Sequence, residues 1–259
     1  MFSKPFPILI ICLFFLVVPL ALWAQFGDFR MMYDEMLLQE TEREITLKNL
    51  DLYWSADNYV PFNYQGRILP TRGSWVIVEA DLKILGGNPK NLKYSWFLDG
   101  TFQEYKSGYG RDDFKFGIRR LKNASHTILL KVFNESRSFL VEKSITIPIT
   151  NPELVIYNNN PINLSYTASS KDFNVVSDKE SSFSALPYFF NIKSLEDLEF
   201  NWTFADKSYK ESSLTANIFG LKIINKKVGT SLEKTLKVFA TNKRQTDQRA
   251  QKTVKLNIY

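Results

Sequence analysis

The sequence predicts an all-β protein made of two tandem sandwiches behind a hydrophobic leader, and three observations carry that prediction. The 259 residues include 21 Phe and 12 Tyr, a composition that suits pleated, half-buried strands. Short alternating apolar runs recur between turn-rich segments such as "LPTRGS" and "LGGNPKN", the pattern of sandwich strands and not of a parallel sheet with crossover helices. One motif is also written twice: "LKYSWFLDG" at Leu92–Gly100 and "LEFNWTFAD" at Leu198–Asp206 each set a Trp inside an alternating run before a tight turn. At the same offset of 106 residues, Leu130–Phe133 and Leu236–Phe239 both read LKVF.

Taken in order, residues 1–24 carry one positive side chain, Lys4, and then an almost uncharged apolar run to Ala24. That is an export signal cut before Gln25, or, since the run just reaches spanning length, a retained membrane anchor. Either way the rest of the chain is expected outside the cytoplasm. The only cysteine, Cys12, lies in this leader, so the mature chain has no disulfide and its domains stand on their hydrophobic cores. Residues 25–44 read as a short helix or stalk with Met32, Met36 and Leu37 on one side.

The first sandwich is expected over 45–150, with strands in "EITLKNLDLYW", "SWVIVEADLKI", "LKYSWFLD", "DDFKFGI", "HTILLKVF" and "SITIPI". Pro148 marks the last of these as an edge strand, because proline cannot donate to a ladder. The boundary falls near Thr150–Val155, and the second sandwich over 151–259 repeats the scheme through "ELVIYN", "INLSYTA", "SSFSALPYFFNI", "LEFNWTFA", "SLTANIFGLKII", "TLKVFAT" and "TVKLNIY". Trp96 and Trp202 are expected between the sheets of their own sandwich. Little contact is expected across the linker.

A Trp strand closing on a tight turn, followed by an apolar strand after "SHT", resembles the PKD and immunoglobulin-like modules of bacterial surface proteins. "DLYWSADNYVPFNYQGRILP", "NPELVIYNNNP" and "ALPYFFNI" before "LEFNWTF" resemble an uncharacterised group of exported proteins from small-genome bacteria. The resemblance implies a fold and an exported location and carries over no catalytic residue. The second copy departs from the PKD pattern, with Ala205-Asp206 for Asp-Gly and Leu232 at the expected place of His126.

Catalysis finds little to build on. His126 is the only histidine, and no G-x-S-x-G elbow or activated cysteine accompanies it. One His and no mature Cys leave no zinc spacing, and no calcium loop or phosphate-cradling glycine loop occurs. Asp112 and Asp113 are a carboxylate pair, but neighbours in a strand point to opposite faces and would not converge on one bond. Sequons begin at Asn123, Asn134, Asn163 and Asn201. No catalytic residue, metal, cofactor or specific nucleic-acid partner is expected.

Two features point to binding. Tyr53, Trp54, Tyr59, Phe62 and Tyr64 crowd one segment, and Tyr59, Phe62 and Tyr64, with Tyr105 and Tyr109 further on, are candidate contacts to a glycan or a partner; the alternative is that they cover the open end of a sandwich. Charge is the second feature: Gly220–Tyr259 holds ten basic and two acidic side chains. Lys237, Lys243, Arg244, Arg249, Lys252 and Lys255 form a candidate polyanion-binding hairpin for anionic envelope polymer or lipid headgroups; a solvated strand face is the alternative. The function expected is a non-catalytic exported envelope protein, a spacer or adhesion module whose partners are envelope proteins, anionic polymers or a glycan, with membrane contact through the leader if it is retained; the alternatives are a carbohydrate-binding module using the loop aromatics and, from another class, an envelope hydrolase.

Overall fold

A computed structural model describes residues 44–119, 124–159, 166–168, 172–210, 215–224 and 231–259. The leader, the expected stalk up to residue 43 and the sequons at Asn123 and Asn163 lie outside the described residues. Asn49–Leu82 with Lys90–Tyr259 forms one compact unit, which holds both cores; Lys83–Pro89 falls to another with residues 44–48. Among the described residues no helix is long and apolar enough to cross a membrane.

The first sandwich comprises β1 (Thr46–Ala56), β2 (Trp75–Leu85), β3 (Lys93–Leu98), β4 (Thr101–Phe102), β5 (Gly108–Tyr109), β6 (Asp113–Gly117), β7 (Ser125–Phe133) and β8 (Leu140–Pro148). One sheet runs β1-β2-β6; the other runs β4-β3-β7-β8, with β5 also paired to β3. The second sandwich comprises β9 (Glu153–Asn159), β10 (Tyr166–Ala168), β11 (Asp172–Val175), β12 (Glu180–Tyr188), β13 (Leu198–Phe204), β14 (Lys207–Lys210), β15 (Ile218–Lys222), β16 (Leu232–Asn242) and β17 (Arg249–Ile258). Its sheets run β10-β9-β12-β15 and β11-β17-β16-β13-β14. In each copy the third long strand leaves the sheet of the first two and joins the last two, which is the immunoglobulin arrangement. The chain is therefore all-β, two tandem immunoglobulin-like sandwiches.

The repeated Trp does the same work twice. Trp96 and Trp202 are both 0% exposed. Trp96 stacks on Phe114 of β6 at 5.6 Å and donates its indole N–H to the Arg111 carbonyl at 2.8 Å; Trp202 stacks on Phe219 of β15 at 5.4 Å and donates to the Ala216 carbonyl at 2.9 Å. Each ring thus crosses from one sheet to the other with its polar handle satisfied. The turns that follow also match: Asp99 and Gly100 have φ of 51° and 81°, Ala205 and Asp206 of 46° and 64°. Two-residue hairpins that suit the strand twist need positive φ at both positions, so the second copy holds Ala205 where the first uses an easier residue.

The LKVF match is not a structural equivalence. Trp96 pairs with Leu130, whereas Trp202 pairs with Val238 and not with Leu236. Relative to β7, β16 is displaced by two residues, which keeps every side chain on its face because the side-chain period is two. One consequence is that Lys234, opposite Leu256, stands where His126 stands opposite Ile147, correcting the expected equivalence with Leu232.

The expectation of little contact between the sandwiches is also corrected. Tyr59 and Phe190 form a β-bridge, with Tyr59 N–H on the Phe190 carbonyl at 2.7 Å and Phe189 N–H on the Tyr59 carbonyl at 2.8 Å. Beside it Gln248, buried, donates to Thr71 Oγ1 at 2.9 Å and accepts from Asn191 N–H at 2.8 Å and Asn242 Nδ2 at 2.9 Å. Asn58 donates to Thr71 Oγ1 at 2.7 Å and to the Phe189 carbonyl at 2.8 Å, and Arg72 pairs with Asp247 at 2.7 Å. Gly73, at φ 94°, lies where a Cβ would collide with the Gln245 amide. The positive φ favours glycine there, and a larger residue would also displace the end of the Gln245 side chain.

Candidate functional site

The outward face of the β4-β3-β7-β8 sheet is where the two copies differ most. Along β7 the residues alternate between buried Ile128, Leu130 and Val132 and half-buried Leu129, Lys131 and Phe133, so the second set faces away from the core. Across the ladder Leu129 opposes Phe97 and Ser144, Phe133 opposes Lys93 and Leu140, and Phe97 opposes Phe102. Phe97 and Phe102 pack at a tilt with ring centres 5.4 Å apart, and the Lys131 ammonium lies 6.0 Å from the Phe97 ring centre. Lys93 and Arg137 lie 5.9 and 5.5 Å from the Phe133 ring centre. The outcome is an apolar, partly aromatic face rimmed by cations, with Leu140 63% exposed.

The second sandwich provides an internal comparison. Residues paired in the same way around Trp202 are Thr203, Ser208, Lys237, Thr241 and Arg249 where the first copy has Phe97, Phe102, Leu129, Phe133 and Leu140. Folding of this sheet does not require apolar side chains there, since one copy folds with polar ones. The sequence assigns "HTILLKVF" to a strand without distinguishing its two faces. The available signal was the apolar triplet Ile128–Leu130, whose counterpart in β16, Leu236–Val238, has Lys237 at its centre.

The aromatic candidates separate into two groups. Tyr59 is half-buried against the second core and bridges to Phe190; burial raises its phenol pKa. Tyr64 packs edge-on against Tyr188 and Phe189, each at 5.7 Å. These two belong to the joint between the sandwiches, while Phe62 stands fully exposed. Tyr109 is exposed opposite Lys93 on the apolar face, and Tyr105 is 92% exposed in the turn at that sheet's edge.

The six basic candidates do not share one face. Lys237, Arg249 and Lys255 point outward, but Lys252 opposes buried Val238 and so lies on the other side of the sheet. Lys255 is held by Glu233 at 2.9 Å, which raises its pKa with a further contribution from Asp172. Arg244 pairs with Asp197 at 3.2 Å, and Lys243 donates to the Glu196 carbonyl at 2.6 Å. A tally along Gly220–Tyr259 leaves out the acids that Asp172 and Asp197 bring from other segments. Two of the six thus meet a carboxylate, one a backbone carbonyl, and one lies on the opposite side of the sheet.

His126 is buried, its Nδ1 2.7 Å from Asp99 Oδ2 and its ring edge-on to Phe116 at 5.4 Å. Asp99 Oδ1 also accepts the Thr127 N–H at 2.9 Å, so the pair pins the Asp99-Gly100 turn to β7. The other ring nitrogen, Nε2, is buried without a hydrogen-bond partner, out of reach of a substrate proton. Asp112 and Asp113 line one open hollow of about 310 Å³ with Tyr53, Glu79, Ala80 and Asp81. Asp113 opens β6 and Asp112 precedes it, so the two border the hollow from the strand and from the turn before it. Asp112 also acts on Tyr94, whose phenol burial and then this charge push up to about 12. Among the described residues no group of three or more His, Cys, Asp or Glu could hold a metal ion.

No protein-family model and no curated protein matches the chain. Among solved structures, three N-terminal domains of the bacteriophage RB49 highly immunogenic outer capsid protein align over 81% of this chain and 59% of theirs, at 14% identity and a TM-score of 0.41. A Bacteroides ovatus mixed-linkage glucan utilisation protein, SGBP-B, solved with a heptasaccharide, aligns over 80% and 47%, at 12% identity and 0.24. A 282-residue C-terminal fragment of intimin, solved with the intimin-binding domain of its receptor Tir, aligns over 81% and 63%, at 10% identity and 0.23. This chain covers less than two thirds of each of the three. The strand order described above carries the fold assignment without them.

Proposed function

We propose that the protein is a non-catalytic, exported binding module of the cell envelope that presents the outer sheet face of its first sandwich to a protein partner. The observation that carries the reading is the contrast between copies: Phe97, Phe102, Leu129 and Phe133 stand where the other sandwich has Thr203, Ser208, Lys237 and Thr241. Aromatic rings and aliphatic side chains on an otherwise ordinary sheet face, with cations over the rings, have the composition of an interaction patch. In this reading residues 1–24 are the signal peptide or anchor, 25–44 the stalk, and 45–150 and 151–259 the PKD-like sandwiches, the second of which sets the angle of the first through the buried joint. The PKD likeness and the small-genome group remain part of this proposal.

The test transplants the second copy's residues into the first. Phe102→Ser, Leu129→Lys and Phe133→Thr together are expected to abolish binding of the purified protein to cells that lack it, with the circular dichroism and melting transition of a folded protein retained. Unchanged cell binding would refute the reading. Tyr105 and Tyr109, both exposed at the same sheet, favour a glycan as the second reading. Loss of binding to soluble envelope glycans on Tyr105→Ala and Tyr109→Ala, with cell-surface protein cross-links intact, would move the function to that reading.

A further inference from the structure

The edge of β8 is open where the corresponding edge of the second sandwich is closed. There β11 lies parallel along β17, with Tyr259 N–H on the Val175 carbonyl at 3.0 Å and Ser177 N–H on the Tyr259 carbonyl at 2.8 Å. Odd-numbered residues of β17 therefore bond outward to β11. Ser125 opposes Pro148 as Glu233 opposes Asn257, so Pro148 occupies the position of an outward-bonding residue and lacks the N–H that such a strand would need. In β8, Ile149 N–H bonds inward to the Ala124 carbonyl at 3.0 Å. Odd residues thus serve β7, and the N–H and C=O groups of Glu142, Ser144 and Thr146 face outward. Among the described residues no strand pairs with this edge.

We propose that β8 pairs antiparallel with β8 of a second copy about a two-fold axis through Ser144. Only residues of like parity can oppose each other in a regular antiparallel ladder, so the axis must pass through a residue. An axis at Glu142 or Lys143 sets like charges face to face, which is destabilising. An axis at Ile145 or Thr146 spends a ladder position on Pro148 earlier in the overlap. The Ser144 axis matches the full strand, Leu140–Pro148, with itself. It sets Glu142 against Thr146, Lys143 against Ile145, and exposed Leu140 against Pro148 of the other copy. The resulting sheet continues through β7, β3 and β4 on both sides and joins two apolar faces into one bivalent surface. The pairing rests on the ladder and holds whether or not that face binds a protein.

The experiment uses the full chain with Cys12→Ser, so that an introduced thiol is the only one. In a hydrogen-bonded antiparallel pair opposed Cα atoms lie about 5.5 Å apart, within disulfide reach. Ser144→Cys is therefore expected to cross-link to a dimer under mild oxidant. Thr146→Cys, about 14 Å from its counterpart in this register, is expected to stay uncross-linked. Ser144→Pro removes an outward N–H without touching the β7 ladder, and light scattering should show the mass fall from two chains to one. A monomeric parent chain, or equal cross-linking at 144 and 146, overturns the proposal. If Ser144→Pro fails to fold, the contrast between the two cysteine variants decides alone.

Discussion

Gln248 offers the sharpest test of the joint, because one side chain reaches both sandwiches. Its Nε2 donates to Thr71 Oγ1 at 2.9 Å and to the Arg72 carbonyl at 3.3 Å, while its Oε1 accepts from Asn191 N–H and Asn242 Nδ2. Gln248→Met keeps the volume and removes all four bonds. Thr71 retains Asn58 and Asn242 retains the Asn191 carbonyl, so the uncompensated loss falls mainly on the Asn191 N–H. One orphaned donor costs about 1–3 kcal/mol, and the weakened bonds around it add roughly 1 kcal/mol. The expected destabilisation is therefore about 2–4 kcal/mol. To separate coupling from simple loss, Thr71→Val is combined with it: the pair should be less than additive by about 1 kcal/mol or more in urea unfolding of the full chain. Strict additivity, or a loss below about 0.5 kcal/mol for Gln248→Met, would mean that the two sandwiches unfold as strangers and that the joint is a crossing without mechanical meaning.

Trp96→Ala and Trp202→Ala should each cost about 3–5 kcal/mol, from lost burial and the cavity left against Phe114 or Phe219; equal stability in thermal melts would remove the Trp from the core role. Asp197 accepts the Lys193 and Ser194 N–H groups and faces Arg244 and Lys243, so its pKa lies below the ordinary value. Its contribution is complete above that ordinary value, about 4, and is lost as pH falls through the lower folded value. Asp197→Asn should therefore flatten the acid-unfolding profile, and an unchanged profile would contradict the assignment. Tyr94, pushed up to about 12, stays neutral in the fold at pH values where an unfolded tyrosine ionises. Stability should thus fall with rising pH from about 10, and the phenolate absorbance of Tyr94 should appear earlier in Asp112→Asn.

What could be read from the residues, and what could not, follows from whether a feature is carried by one strand or assembled from several. Trp96, Trp202 and the alternation in "SITIPI" and "TVKLNI" are properties of single strands, so the core and the two-copy plan were visible. β8 begins at Leu140, ahead of the expected Ser144, because Glu142 and Lys143 break the apolar alternation there, each meeting an opposite charge from a neighbouring strand, Lys131 and Asp51. The two-residue slip between the LKVF segments was invisible, since a shift of two preserves every face. The polar joint is built from Asn58, Thr71, Asn191, Asn242 and Gln248, each an ordinary loop or strand-end residue until folding buries them together. The basic hairpin differs in the opposite sense: its charges are contiguous in sequence, yet Lys252 lies on the other side of the sheet and Lys243 and Arg244 are engaged by Glu196 and Asp197 from another segment. The same reasoning explains the apolar face. The triplet Ile128–Leu130 puts apolar side chains on both sides of a strand, and the second copy, where Lys237 stands in the place of Leu129 without loss of the sheet, shows that the outward one is not required by the fold.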